Sequence, residues 1–257
     1  MGRDHKPILR RRPQRDGLID AGIVEGGTIS TPTFLAWDSM RLWDLSNFGR
    51  LQTLWTSTVT YIPSARCAVV RDFLAGFDDE VSGRTVKSDW LLFLDHDMIF
   101  SANLAERLYR EAHPVERPIV AAFYPTYMPD HGNIRVMPTW MREWEGKPMR
   151  HVQEVPEGDE LIELHGCGMG ATLIHRSVLE AVGEEHFHDE WPWFGHDLVT
   201  LDPEIGPVRC GEDVTFCLRA RALGFKIWGA PHIRCKHKKS NILDAIDVLP
   251  ALRIVAA

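Results

Sequence analysis

The stretch Ser88-Asp-Trp-Leu-Leu-Phe-Leu-Asp-His-Asp-Met-Ile-Phe100 decides the fold class of this chain. Apolar residues run from Trp90 to Leu94 and then give way to Asp95-His96-Asp97. A short apolar run of this kind is typical of a strand that is buried on both faces of a sheet. Two carboxylates separated by one residue raise each other's pKa unless a cation neutralises them. The stretch therefore favours a divalent-metal site at the carboxyl end of a strand in an open α/β sheet, where ligands usually bind. The alternative is a solvated turn with capping aspartates.

The composition is that of an ordinary globular protein. The chain has 257 residues, of which 44% are hydrophobic and 25% are charged, enough for one large domain with a substantial core. No apolar run approaches the roughly 20 residues that would span a bilayer, and the Arg-rich segment 1–17 has no apolar stretch typical of a secretory signal. The five cysteines follow no disulfide or zinc spacing, which favours a reducing, cytoplasmic compartment. The net charge of -7 argues against non-specific nucleic-acid binding.

Alternating element types predict a single domain. We expect strands over Thr28–Ala36, Asp89–Leu94 and Pro118–Phe123, and a helix over residues 38–56. This alternation indicates an α/β fold with a mostly parallel sheet and helices on both faces. Residues 28–240 would form this domain, residues 1–27 a flexible N-terminal arm and residues 241–257 a weakly amphipathic tail. The sequence does not indicate an oligomeric state.

Glu212 and Asp213 begin the best predicted helix, over residues 213–224. Carboxylates at a helix N-terminus are stabilised by the macrodipole, so a simple capping role explains them in isolation. The alternative is a carboxylate that is aimed into a cleft and takes a proton from an attacking hydroxyl group.

His237 lies in a second candidate segment, Cys235-Lys-His-Lys-Lys-Ser240. A lone histidine is usually structural, but an imidazole also completes many metal sites. The neighbouring lysines, Lys238 among them, could form a solvated face or could neutralise a diphosphate. Two roles also remain possible for Arg66, because a guanidinium near a helix start suits either phosphate binding or a surface ion pair.

Trp191-Pro-Trp-Phe194 clusters aromatic residues that suit stacking against a sugar or a base, although a hydrophobic lid or core is an equal explanation. The glycine-rich segment Gly166-Cys-Gly-Met-Gly170 allows the backbone to turn sharply or to approach a ligand closely.

Taken in order, these motifs resemble glycosyltransferases of the GT-A fold, close to the inverting family 2 group. Asp89-Trp-Leu-Leu-Phe-Leu-Asp-His-Asp-Met98 resembles the family's D-x-L-x-x-x-D-x-D-M strand and metal motif. Gly211-Glu-Asp-Val-Thr-Phe-Cys-Leu-Arg-Ala220 resembles its E-D helix, and Ala65-Arg66 its Arg-bearing helix. The likeness spans about residues 28–240. One departure is that Thr31-Pro-Thr-Phe34 lacks the glycine that often follows the family's first strand.

The resemblance implies a metal-dependent transfer of a sugar from a nucleotide-sugar, with uridine favoured over guanosine as the base, to an acceptor hydroxyl group with inversion. The metal, Mn²⁺ or Mg²⁺, would be held by Asp95, Asp97 and His237. Asp213 would act as the base, assisted by Glu212. Donor contacts would come from Thr31, Arg66, Asp95, His96 and Lys238. Acceptor contacts would come from Gly168, Met169, Trp191 and Trp193.

Two other functions remain open at this point. A metal-dependent phosphoesterase could use Asp95, His96, Asp97 and His237. A non-catalytic sugar-nucleotide-binding module could keep the fold without its chemistry. The acceptor class is undetermined, and nucleic acid enters only as a modified-base acceptor.

Overall fold

The structure of the chain is a computed structural model. It describes residues 17–24, 28–79, 83–130, 133–144, 147–152, 154–156, 158–202, 206–239, 242–243 and 253–255.

The described residues form five helices and twenty strands. The helices are α1 (Thr31–Asn47), α2 (Ile62–Ala75), α3 (Leu104–Glu111), α4 (Arg176–Glu185) and α5 (Glu212–Ala222). The strands are β1 (Ile19–Val24), β2 (Leu51–Ser57), β3 (Phe77–Asp79), β4 (Arg84–Val86), β5 (Trp90–Asp95), β6 (Met98–Ile99), β7 (Ile119–Phe123), β8 (Pro125–Asp130), β9 (Asn133–Pro138), β10 (Met141–Trp144), β11 (Lys147–His151), β12 (Glu154–Pro156), β13 (Ile162–Leu164), β14 (Ala171–His175), β15 (Leu198–Asp202), β16 (Gly206–Arg209), β17 (Ile227–Arg234), β18 (Lys236–Lys238), β19 (Ile242–Leu243) and β20 (Arg253–Val255).

A seven-stranded sheet organises the molecule, in the order β13-β17-β7-β14-β5-β1-β2. Strands β2, β1, β5, β7 and β17 run in one direction, whereas β14 runs against β5 and β7, and β13 runs against β17. The predicted α/β class with a mostly parallel sheet is confirmed. The predicted strand at 89–94 is confirmed as the central β5, whose residues Trp90–Leu94 are all buried.

Helices cover both faces of this sheet, as predicted. Side chains alternate along a strand, so Leu91 and Phe93 of β5 pack on one face with residues of α2, α4 and α5. Trp90, Leu92 and Leu94 pack on the other face with residues of α1 and α3. This alternation also decides on which face Asp95 lies.

The domain begins earlier than residue 28. β1 is buried at every position and lies between β2 and β5, so this part of the predicted arm 1–27 belongs to the sheet. Gly22, where an added Cβ would meet Val69 at 2.5 Å, lets α2 approach β1 closely. Residues 1–16 and 25–27 lie outside the described residues. In the predicted tail 241–257, β19 pairs with β18, and β20 pairs with β12.

The predicted strand at Thr28–Ala36 is wrong, because α1 starts at Thr31. The Ser30 hydroxyl caps this helix by accepting from the Thr33 amide, and Pro32 stands in the first turn, where it costs the helix no hydrogen bond. The predicted helix over 38–56 extends too far, since residues Leu51–Ser57 form the edge strand β2. Leu51 continues the three-residue spacing of the helix, which explains the error.

Short hairpins occupy much of the segment from 124 to 160. β8 pairs with β9, and β10 pairs with β11. None of the described helices has the length and apolar character needed to cross a membrane.

Candidate active site

Asp95 is the last residue of β5 and points to the face that carries α2 and α5, because it shares the alternation of Leu91 and Phe93. Its amide donates to the carbonyl oxygen of Gly170 at 3.2 Å, and its Oδ1 accepts from Nη2 of Arg66 at 3.1 Å. The strand end predicted to carry function therefore meets α2 directly.

Arg66 is the centre of the carboxylate cluster, which we define as Asp95, Glu212 and Asp213. Its side chain is only 4% exposed, and it lies 3.3 Å from Asp213 and 3.8 Å from Glu212. Burial alone would lower its pKa, but the three nearby carboxylates outweigh burial and hold the pKa above its ordinary value. Its Nε and Nη1 have no hydrogen-bond partner within the described part of the chain. One buried cation thus faces three acids.

The N-terminus of α5 presents Glu212 and Asp213, as predicted, after Gly211 as N-cap. The Asp213 side chain is 24% exposed. Its Oδ2 accepts from the Met169 amide at 3.1 Å, whereas its Oδ1 is buried without a hydrogen bond among the described residues. Burial raises the pKa of Asp213 to about 7, and Glu212 and Asp95 act in the same direction, while Arg66 opposes them. A carboxyl group with such a pKa can exchange a proton near neutral pH.

The glycine-rich turn supports Asp213 through its backbone. Met169 is fully buried, so its side chain belongs to the core and only its amide faces the site. The Tyr124 hydroxyl accepts from the Gly170 amide at 2.8 Å. A Cβ on Gly170 would lie 2.9 Å from Asp95 Oδ2, and one on Gly168 would lie 2.3 Å from the Tyr124 hydroxyl. Both glycines are therefore required by close packing.

Tyr124 is a site residue that the sequence analysis missed. It follows the buried strand β7, and only 2% of it is exposed. A tyrosine immediately after a buried strand and before a proline was the available indication, because a buried hydroxyl needs a partner.

Asp97 has different partners from Asp95. β18 pairs with β6, which places His237 opposite Met98 and beside the turn that holds Asp97. His237 Nε2 lies 3.1 Å from Asp97 Oδ1, and the Lys239 ammonium lies 2.8 Å from Oδ2. Burial would raise the pKa of Asp97, but the hydrogen bonds and charges of His237 and Lys239 hold it well below its usual range. Asp97 is therefore an anion at neutral pH.

The orientation of His237 fits a metal ligand. Its Nδ1 lies 3.0 Å from the Pro125 carbonyl oxygen, which can only accept, so Nδ1 carries a proton. Metal-binding histidines usually hold one ring N–H in this way. Nε2 of His237, 3.1 Å from Asp97 Oδ1, would then be the nitrogen that binds a metal ion. Among the described residues, no group of three or more His, Cys, Asp or Glu side chains is arranged to hold a metal. Asp97 and His237 could supply two donors to such an ion.

The residues predicted to contact the donor differ in their position relative to the Asp95–Asp97 turn. Thr31 is the exposed first residue of α1, and the Ser30 amide before it donates to the His96 carbonyl oxygen at 3.0 Å, so the start of this helix adjoins the Asp95–Asp97 turn. The Lys238 side chain is exposed, because it alternates with the buried His237 along β18. Lys239, just after the strand, is the lysine that reaches Asp97.

The two tryptophans predicted to contact an acceptor have different environments. Trp193 is only 7% exposed, and its indole N–H donates to the Leu179 carbonyl oxygen at 2.7 Å. It packs so tightly on α4 that a Cβ on Gly183 would lie 2.7 Å from its ring. Trp193 therefore packs as a core residue, and its contact with an acceptor stays a prediction. Trp191 is half-buried and packs against Tyr61, with the ring centroids 5.0 Å apart.

No protein-family model matches this chain, and no curated protein matches it. Solved structures do. The crystal structure of A197 from STIV is 17% identical, with 88% of this chain and 93% of that chain covered and a TM-score of 0.48. The crystal structure of GalNAc-T7 with UDP, GalNAc and Mn2+ is 12% identical, with a TM-score of 0.47. The match covers 87% of this chain but only 44% of that protein. At these identities, function does not transfer from one chain to another.

Proposed function

We propose that this protein is a metal-dependent glycosyltransferase of GT-A-like fold, which moves a sugar from a nucleotide-sugar to an acceptor hydroxyl group with inversion. The observation that carries the proposal is the Arg66-centred cluster. This cluster joins Asp95 at the end of β5 to Asp213 at the start of α5. Asp97, in the turn directly after β5, pairs with His237 beside it.

Asp213 is the proposed catalytic base. In the transfer, the bond between the anomeric carbon and the diphosphate oxygen breaks, and its electron pair leaves with the diphosphate. A bond forms between the same carbon and the acceptor oxygen, and the acceptor proton passes to Asp213. The Met169 amide donates to Oδ2 and Arg66 pairs with Oδ1, so the carboxylate is held in one orientation. Arg66 keeps part of the population ionised by opposing the effect of burial on the pKa. Glu212 would orient the acceptor.

Asp97 and His237 are the residues that would hold Mn²⁺ or Mg²⁺. Such an ion, when bound, stabilises the negative charge that develops on the departing diphosphate. Lys239, whose ammonium lies beside Asp97, would bind the same phosphates. Asp95 would contact the donor ribose while Arg66 holds its carboxylate. Uridine is the proposed base of the donor, on the resemblance of the sequence motifs alone.

The test is the turnover of nucleotide-sugars, with water standing in for the unknown acceptor. Release of UDP from UDP-sugars and of GDP from GDP-sugars, with Mn²⁺, would be measured for the wild type, for Asp213→Asn and for Asp38→Asn. Asp38 is a partly exposed acid of α1, paired with Arg41, and serves as the matched control.

We expect wild-type release to depend on Mn²⁺ and Asp213→Asn to lower it by about 10²- to 10⁴-fold with UDP binding retained. Asp38→Asn should behave as the wild type does. Near wild-type release by Asp213→Asn would sink the assignment of the base. UDP binding without any turnover would favour a non-catalytic binding module, and hydrolysis of a simple phosphate ester in place of a nucleotide-sugar would favour a phosphoesterase.

A further inference from the structure

An aromatic cluster, which we define as Tyr61, Trp191 and His196, lies at the entrance of α2. The Tyr61 ring packs against Trp191 with centroids 5.0 Å apart and against His196 with centroids 6.0 Å apart, both tilted. Tyr61 is 43% exposed, and the other two rings are half-buried. The cluster therefore combines open aromatic surface with two polar ring groups, the Tyr61 hydroxyl and an imidazole nitrogen.

This cluster adjoins the carboxylate cluster. The Phe194 ring, in the same loop as Trp191 and His196, has its centroid 5.7 Å from the Arg66 guanidinium carbon. His196 Nδ1 lies 2.9 Å from the carbonyl oxygen of Cys210, two residues before Glu212. Since that oxygen only accepts, Nδ1 donates, and Nε2 is left to meet a ligand. The rings thus border the N-terminus of α5, where Asp213 lies.

The loop that carries Trp191 and His196 is firmly fixed by Arg219 of α5. The Arg219 guanidinium makes two hydrogen bonds to the Asp197 carboxylate, at 2.8 and 2.6 Å. Its Nη1 also donates to the carbonyl oxygens of Trp191 and Pro192, at 2.9 and 2.6 Å. Arg219 is 6% exposed, so these bonds are shielded from water. A loop that is already ordered loses little entropy when a ligand binds to it.

We propose that the aromatic cluster is the acceptor subsite and that it binds a neutral pyranose ring, so that the acceptor is a carbohydrate. This inference rests on the proposed function, and it adds Tyr61 and His196 as residues that determine specificity. A pyranose offers apolar C–H faces for the rings and hydroxyl groups for the Tyr61 hydroxyl and His196 Nε2. Ligand sites commonly combine aromatic surface with a few polar groups in this way.

Charge favours a neutral acceptor over an anionic one. The cluster is bordered by the acids of the carboxylate cluster and by Asp189 and Asp197, whose partner Arg219 is already engaged. The whole chain carries a formal charge of -7. These five carboxylates outnumber the nearby cations Arg66, Arg219 and Arg209, the last of which donates to the His196 carbonyl oxygen at 3.3 Å, so an anionic acceptor is disfavoured relative to a neutral sugar.

Saturation-transfer NMR tests the proposal without knowledge of the complete acceptor. The probes are the methyl pyranosides of glucose, galactose, mannose and N-acetylglucosamine, at millimolar concentration. The proteins are the wild type, Tyr61→Ala, Trp191→Ala and the control Trp43→Ala. Trp43 belongs to α1, on the other face of the sheet, where it packs against Phe48. UDP binding with Mn²⁺ is measured on each sample as a second readout.

We expect at least one pyranoside to show saturation of its ring protons with the wild type and with Trp43→Ala. Its affinity should fall by about fivefold or more in each cluster variant, in line with the contribution of one aromatic contact. UDP binding should not change. Tyr61 is largely at the surface, so Tyr61→Ala keeps the test valid if Trp191→Ala does not fold.

The outcomes separate this proposal from the proposed function. If UDP binds but no pyranoside binds, or if a pyranoside binds equally to Tyr61→Ala, the carbohydrate subsite is overturned and the transferase proposal stands. If pyranosides bind to the aromatic cluster but no nucleoside diphosphate binds, the cluster stands as a carbohydrate-binding site, and the transferase proposal is overturned. Absence of both kinds of binding overturns both.

Discussion

Nη2 of Arg66 lies 3.3 Å from Oδ1 of Asp213, and the same nitrogen lies 3.1 Å from Oδ1 of Asp95. One buried guanidinium therefore connects the last residue of a central strand to the first turn of α5. The arrangement holds the proposed base beside the proposed donor site.

Arg66→Met should destabilise the fold by about 3 kcal/mol, because it leaves three carboxylates facing one another without their buried cation. The expected value lies at the lower end for buried pairs, since the acids are partly exposed, at 18 to 24%. Urea unfolding at pH 7 measures it. Arg41→Met removes an exposed pair, at 55% and 43% exposure, and should change the free energy of unfolding by about 0.5 kcal/mol or less. Equal effects of the two changes would contradict the central role of Arg66.

Asp213 should make stability depend on pH around neutrality. Its pKa is raised to about 7 in the folded protein, above the ordinary 3.8, so the folded state favours the protonated form. The stability that this form contributes is present at pH 4 and below, and is lost as the pH rises through 7. Asp213→Asn cannot ionise, so its stability relative to the wild type should rise by at least about 1 kcal/mol between pH 4 and pH 8. Unfolding of both proteins across this range measures the difference, and a constant or falling difference would show that the pKa is not raised.

The sequence predicts the strand at 89–94 and the helix that begins at Glu212–Asp213 because each carries its own evidence. The apolar run from Trp90 to Leu94 has the length of a strand and is too short for a buried helix. The apolar stripe of the helix stops before Gly224, a residue that commonly follows a helix C-terminus. The placement of Asp95 and Asp97 at the carboxyl end of a central strand follows from the position of the apolar run. The sequence could not indicate that Asp95 binds Arg66 while Asp97 binds His237. The first contact depends on the packing of helix α2, and the second depends on the pairing of β18 with β6.

Other parts of the prediction were wrong or incomplete for local reasons. Ser30 and Pro32 permit either a broken strand or a capped helix start, and the neighbouring β-branched residues favour the wrong choice. Trp193 and Trp191 are two residues apart and have the same chemistry, and only the packing of α4 shows that the first is core. Lys238 and Lys239 differ in role because β18 ends between them.

Tyr124→Phe should lower the free energy of unfolding, because Tyr124 supports the glycine-rich turn of the site. The change removes the hydroxyl that accepts from the Gly170 amide and leaves that buried N–H without its partner. We expect a loss of about 1–3 kcal/mol in the free energy of unfolding. Tyr127→Phe, at a half-buried position of β8, is the control and should remain within about 0.5 kcal/mol of the wild type. A neutral effect of Tyr124→Phe would mean that the turn does not depend on this hydroxyl.

Lys239→Ala should weaken UDP binding in the presence of Mn²⁺ by about tenfold, because a charge-assisted contact to the diphosphate is lost. The Lys239 ammonium already lies 2.8 Å from Asp97, within reach of any phosphate held there. Lys238→Ala is the matched control, since this neighbouring side chain is exposed, and it should bind UDP as the wild type does. Calorimetric titration compares the two, and a larger effect of Lys238→Ala would reverse the assignment.

Calorimetric titration of UDP with and without Mn²⁺, for the wild type, Asp97→Asn and Asp38→Asn, tests the proposed transferase site most directly. The transferase account predicts that the wild type and Asp38→Asn bind UDP only when Mn²⁺ is present, and that Asp97→Asn loses this binding while it remains folded. Binding that ignores the metal, binding that survives Asp97→Asn, or absence of binding for both UDP and GDP would contradict it.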